Sequence, residues 1–216
     1  MSNLFKKAAV FTDIHFGLKS NSIQHNQDCS NFVDWFIEKS LAEGCETCFF
    51  LGDWNHHRAS INMHTLQFGL NALEKLNDAF EKVYFITGNH DLYYRDKRDI
   101  HSVEWAKHLK NVVIVDHFIE EGDCVIAPWL CGDDYKLLKK KKGKYGIGGA
   151  SARARLSGQG TQKITSKDGH HVRQAVVHMD YLANECEEKQ CWTGDHEKRP
   201  KFQDINDEKK DNYDNG

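Results

Sequence analysis

The chain has 216 residues, 39% of them hydrophobic and 28% charged, enough for one domain of ordinary size with a sizeable core. A formal net charge of −3 excludes a polybasic binder held by bulk charge, so any nucleic-acid contact has to be local. No N-terminal stretch has the order of a secretory signal, and no apolar run nears the roughly 18 residues of a membrane span; a cytoplasmic protein without membrane contact is expected, its seven cysteines reduced.

The first element is the apolar strand "KKAAVFTD", which ends in Asp13. Gln24 to Ala42 follows with Phe32, Val33, Phe36, Ile37 and Leu41 at helical spacing, and a helix is expected to stop at Gly44. "TCFFLGD" is a second strand ending in an acid, and Cys45 and Cys48 at its entry form a single CxxC. With no second CxxC to complete a tetrahedral set, buried strand cysteines are the better reading. Ile61 to Phe80 is a second helix through Leu66, Leu70, Leu73 and Leu76. "KVYFITGNHD" is the third strand, Asp99 to Leu109 a further helix, and "NVVIVD" and "DCVIAPWL" two more strands. Strands alternating with helices predict an α/β sandwich, a largely parallel sheet core flanked by helices.

From Lys139 the texture changes to Gly, Ser, Lys and Arg, and only "QAVVHMDYL" reads as a strand. Residues 1–142 are therefore expected to hold the folded domain. Residues 143–216 are expected to form an atypical, poorly packed tail with its last fifteen residues disordered, so that the sandwich is incomplete after residue 143.

Three strands run directly into metal-ligand residues: Asp13 and His15 in "VFTDIH", Asp53 in "FFLGDWN", and Asn89, His90 and Asp91 in "FITGNHD". In a parallel sheet these ends meet at one edge, where open α/β folds bind their ligands. Carboxylates, imidazole and an amide carbonyl together suit divalent manganese, iron or zinc, and a carboxylate can bridge two ions about 3.5–4 Å apart that hold a nucleophile and a phosphate. Arg58 and Arg95 are candidate phosphate contacts, whereas His56 and His57 read equally well as substrate contacts or solvated loop residues. Tyr93 and Tyr94 read as core or rim packing ahead of base stacking, and His25, His64, His101, His108 and His117 as helix-surface or loop residues.

Asp13-Ile14-His15, Gly52-Asp53-Trp54-Asn55 and Gly88-Asn89-His90-Asp91, each after a strand, resemble the calcineurin-like metallophosphoesterases. The resemblance implies two divalent ions, manganese first among Mn2+, Fe2+, Zn2+ and Mg2+, with Asp13 and His15 on one ion, Asp53 bridging and Asn89 on the second. It also implies His90 beside the scissile phosphate and Asp91 orienting His90. Over residues 8 to 131, and above all at "APWL", the chain is similar to the nuclease subunits of phage and bacterial recombination and repair enzymes. That implies a DNA substrate, an SMC-like ATPase partner, a homodimer and, for a phage-encoded chain, the host cytoplasm. A phosphomonoesterase, a protein phosphatase and a catalytically degenerate binding or assembly subunit are the other readings.

The resemblance also implies later G-H-x and G-H-x-H motifs, which the chain lacks. "DGHH" at 168–171 has no spacer, His196 stands in the wrong order, and His178 in "AVVHMD" is the remaining candidate for a late metal ligand. A reading-frame slip near the lysine run Lys139 to Lys142 would account for this, because the codons of Gly149-Ala150-Ser151 read one base later can spell Gly-His-Leu. On this basis the chain as written is expected to turn over weakly or not at all.

Overall fold

The computed structural model describes residues 4–122, 124–141, 145–149, 162–165 and 173–178, the last two segments as backbone alone. The strands are β1 (Lys7–Thr12), β2 (Thr47–Phe50), β3 (Lys82–Ile86), β4 (Val112–Val115), β5 (Ile119–Glu121), β6 (Cys124–Ala127), β7 (Tyr145–Gly148), β8 (Gln162–Thr165) and β9 (Arg173–His178). Helices α1 (Ile23–Ala42), α2 (Met63–Ala79) and the short α3 (Asp134–Leu138) lie between them. One sheet runs β4-β3-β2-β1-β9, parallel except for β9, and the second runs β5-β6-β7-β8 with β5 antiparallel. The expected α/β architecture with a largely parallel sheet core flanked by helices is present.

At β1, β2 and β3 both faces of the first sheet are buried, which is why these strands read as unbroken apolar runs. Ala9, Phe11, Cys48, Phe50, Val83 and Phe85 face the helices, packing on Val33 and Phe36 of α1 and Leu73 and Leu76 of α2. Their neighbours Ala8, Val10, Phe49, Leu51, Tyr84 and Ile86 form the other face, packed on Cys124, Ile126 and Ile147 of the second sheet. The alternation follows from the two-residue period of a strand. Cys45 and Cys48 are buried free thiols of the helix-side core.

Helix α1 starts where Ser22 Oγ accepts the His25 N–H and stops at Gly44, whose φ of 74° permits a Schellman turn. The Gly44 and Cys45 N–H groups there donate to Leu41 and Ser40 carbonyls. Leu66 and Leu70 of α2 are only partly buried; Thr65 and Gly69 take the inward positions instead. Gly69 packs closely on Trp54, since a Cβ there would lie 3.1 Å from Trp54 Nε1.

Two expectations are corrected. The helix over Asp99 to Leu109 is only a 3₁₀ turn, Glu104–His108, because the residues before it pair instead: Leu92 bridges His101, and the Tyr93 N–H donates to the Ile100 carbonyl. Poor packing after residue 143 does not hold for β7, where Ile147 is fully buried and the strand pairs with β6. The last fifteen residues, His170, His171, His196, Ala150 and Ser151 lie outside the described residues. Among the described residues no helix is long and apolar enough to cross a membrane.

Candidate metal centre

Beyond their ends, β1 and β2 continue to pair through their loops. Asp13, His15 and Phe16 donate backbone N–H bonds to the carbonyls of Gly52, Asp53 and Trp54, and the His56 N–H returns to the Phe16 carbonyl. The third loop closes against the second at two glycines. A Cβ on Gly52 would lie 2.7 Å from Gly88 Cα, and a Cβ on Gly88 would lie 2.2 Å from Asp53 Oδ1. Only glycine lets these backbones approach so closely.

Asp91 fixes that approach. It is fully buried, and its Oδ2 accepts the N–H groups of Gly88 (2.8 Å), Asp53 (2.9 Å) and Trp54 (3.2 Å) while Oδ1 accepts that of Asn55 (2.9 Å). Burial and the neighbouring Asp53 push its carboxyl up to about 7, against these hydrogen bonds, which favour the charged form. One carboxylate thus holds the second and third loops together.

The result is a cluster of donors. Ligand atoms of Asp13, His15 and Asp53 all lie within 4.8 Å of one another. Each of these residues has a left-handed backbone, with φ of 59°, 53° and 66°. For non-glycine residues that conformation costs roughly 1–3 kcal/mol each and persists where surrounding structure over-determines it, typically at functional sites. Oxygen and imidazole donors at such separations fit a divalent cation. Burial raises the Asp53 carboxyl, while the His90 N–H on its Oδ1 (3.0 Å) and the charge of Arg58 oppose the shift. A bound cation would relieve the same cost.

Imidazoles line one side. His15, His56 and His90 also bring ligand atoms within 4.8 Å of one another, and the His56 and His90 rings stack at 5.3 Å. His90 Nδ1 lies 2.7 Å from the His56 carbonyl, which can only accept. Nδ1 therefore carries the proton, and Nε2 is the nitrogen left for chemistry.

Asp13, His15 and Asp53 come together, and Asn89 sits half-buried between Gly88 and His90 in the adjoining turn. Arg58 lies close enough for Asp53 to feel its charge, and its Nη1 is enclosed without a hydrogen-bond partner among the described residues. Arg95 is exposed. Asp91 does not orient His90; the backbone of His56 does, and Asp91 serves the loops. His178 is corrected as well: β9 is antiparallel to β1, with Arg173 opposite Thr12 and His178 opposite Lys7. His178 therefore stands at the far end of β1, about 16 Å along the strand from the Asp13 end.

His56, read from the sequence equally as a substrate contact or a solvated loop residue, brings its ring to the cluster through the β1–β2 loop pairing. His101 is not a surface residue: it is buried, its Nε2 lies 2.7 Å from Glu104, and burial lowers its pKa. With Arg98, Asp116 and Asp134 it lines a separate cleft of about 490 Å³ whose walls include none of the donors above.

The chain matches no family model. Among curated proteins it is similar to Exonuclease subunit 1 of Enterobacteria phage T4, 26% identical over 145 residues. The match covers 63% of this chain and 43% of that protein, so the chain spans under half the length of this relative. Among solved structures it is similar to the nuclease MPE of Pseudomonas putida at 22% identity, covering 69% of this chain and 66% of that one with a TM-score of 0.42.

Proposed function

We propose that the protein is a metal-dependent phosphodiesterase of the metallophosphoesterase type, acting on DNA as a nuclease subunit. The observation that carries this reading is the meeting of Asp13, His15 and Asp53 donors within 4.8 Å at the carboxyl edge of a parallel sheet, with His90 beside them. Similarity to a phage exonuclease subunit supports the phosphodiester substrate and a partner protein, for which an SMC-like ATPase and a second copy of the chain are the candidates.

Asp13, His15, Asp53 and Asn89 would hold divalent ions, manganese first, which when bound draw charge from the phosphate oxygens and make water acidic enough to attack at neutral pH. Asp53 would serve both positions, a role supported by its Oδ1 accepting the His90 N–H of the third loop and its Oδ2 lying 3.8 Å from His15 Nε2. His90, with Nδ1 committed to the His56 carbonyl, uses Nε2 to stabilise the phosphate or hand a proton to the leaving oxygen. Arg58 supplies a guanidinium for a phosphate oxygen.

The degenerate reading is favoured by one observation, the placing of His178 at the wrong end of β1, which leaves the described donors short of two filled shells. The chain as written therefore binds manganese weakly and turns over slowly. At Gly149, where the shifted reading frame would begin its Gly-His-Leu, a Cβ would lie 2.7 Å from the Leu51 carbonyl oxygen.

The test is manganese titration of the parent chain and Asp53→Asn, with cleavage of linear duplex, single-stranded DNA and an aryl phosphate with and without manganese. Loss of binding in Asp53→Asn supports the site. Equal binding would make it a scaffold, hydrolysis of the aryl phosphate alone a phosphomonoesterase, and rapid DNA cleavage would refute the weakened shell. The nucleotide sequence across codons 136 to 175 decides the frame slip.

A further inference from the structure

We propose that Tyr93 and Tyr94, flanked by Arg95 and Lys97, form a stacking subsite for the unpaired nucleobases of a single strand whose backbone reaches His90. The inference rests on the nucleic-acid reading above and assigns the form of the strand.

The sequence placed these tyrosines in the core or at its rim, but they are exposed by 49% and 43%. Their rings meet edge to face at 4.9 Å, and Lys97 Nζ lies 5.8 Å from the Tyr94 ring centre. Neither phenol hydroxyl has a hydrogen-bond partner among the described residues, and Arg95 has no ion-pair partner there. Two large π surfaces and two cations, Lys97 over the Tyr94 ring and the exposed Arg95, thus stand together on a chain whose overall charge is −3. Local contacts of this kind are the means by which such a chain could hold a polyanion.

The support beneath them is firm. Leu92 is fully buried and bridges His101, the Tyr93 N–H donates to the Ile100 carbonyl at 3.0 Å, and the Ser102 N–H donates to the Asp91 carbonyl at 2.8 Å. Asn55 Nδ2 reaches Ser102 Oγ at 2.9 Å, so the base of the loop is tied to the loop that carries Asp53. Tyr93 follows His90 by three residues, and its Cα lies at most about 11 Å from that of His90. A duplex hides its base faces within the stack. Only an unpaired strand can offer them to these rings, so the contact selects single strands or frayed ends.

The experiment is fluorescence anisotropy of a labelled oligothymidylate and of a duplex of equal length with the full chain in EDTA, where no cleavage occurs. Parent, Y93A/Y94A, Y93F/Y94F and R95A/K97A are compared. Base stacking predicts roughly 5- to 100-fold weaker single-strand binding per tyrosine truncated to alanine, duplex binding changed by less than about 2-fold, and retention in the phenylalanine pair. Loss of the two cations should flatten the salt dependence for the single strand. Unchanged single-strand affinity in the alanine pair, equal losses for both DNA forms, or a phenylalanine pair as weak as the alanine pair would overturn the subsite; so would a parent chain that does not bind single strands. Circular dichroism checks that the alanine pair is folded, and if it is not, the phenylalanine pair and the cation pair decide. Because binding is read without metal, a chain that fails the cleavage test can still pass this one. A chain that cleaves DNA but binds single strands independently of the tyrosines refutes the subsite alone.

Discussion

Replacing Asp91 tests the account of how the site is held. Its carboxylate accepts four backbone N–H groups from residues 53, 54, 55 and 88, and it is fully buried. Asp91→Ala orphans all four donors; each buried unsatisfied group costs roughly 1–3 kcal/mol. Water entering the vacated space recovers part of that, leaving a net loss on the order of 4 kcal/mol. At about 2–4 °C per kcal/mol for a chain of this size, Tm falls by roughly 8–16 °C. Asp91→Asn is milder. An amide oxygen in the place of Oδ2 keeps the bonds from Gly88, Asp53 and Trp54, while the NH2 then faces the Asn55 N–H, costing on the order of 1–2 kcal/mol. Urea and thermal unfolding of the parent and both variants, followed by circular dichroism, measure the series. A loss under about 1 kcal/mol in Asp91→Ala, with a shifted pH profile of DNA cleavage, would show that Asp91 acts on His90 and refute the loop-holding role.

Gly88→Ala puts a Cβ into Asp53 Oδ1, so manganese affinity by calorimetry should fall with stability, and normal binding would contradict the close approach. His90→Gln should retain manganese binding yet lower any measurable cleavage rate roughly 10²- to 10⁴-fold, whereas His56→Ala keeps the backbone carbonyl that orients His90 and should cost less. Burial alone would raise the Asp134 carboxyl, but Arg98 and the Cys131 N–H hold it below the usual range. Because its folded pKa is depressed, the stability it contributes is present above about pH 4 and is lost as the pH falls through the folded value. Arg98→Ala should therefore flatten the acid limb of a stability-against-pH curve and lower stability at neutral pH by roughly 1–3 kcal/mol.

The site was largely readable in the chain because its residues follow strands directly, and a parallel sheet leaves little freedom about where strand ends go. The meeting of Asp13, His15 and Asp53 needed only the order and parallel pairing of the strands that precede them. Residues acting through loop conformation were not readable. The service of Asp91 to three backbone amides of another loop depends on the distance between loops, and no periodicity encodes that. The role of His56 passes through its carbonyl, which every residue possesses. The misplaced helix at Asp99 to Leu109 and the tyrosines assigned to packing share a cause, since the pairing of residues 92–93 with 100–101 competes with helix formation and leaves the rings outside.

Hydrophobic runs and their alternation with amphipathic helices determined the sheet, the helices and the edge at which polar residues gather, because burial of apolar faces fixes these by composition and period. The tertiary structure decided how each polar residue at that edge is held. Left-handed turns at Asp13, His15 and Asp53, the contact of Gly52 with Gly88 and the antiparallel register that carries His178 away are all distances between segments remote in sequence. Such distances are set by the packing of the whole domain.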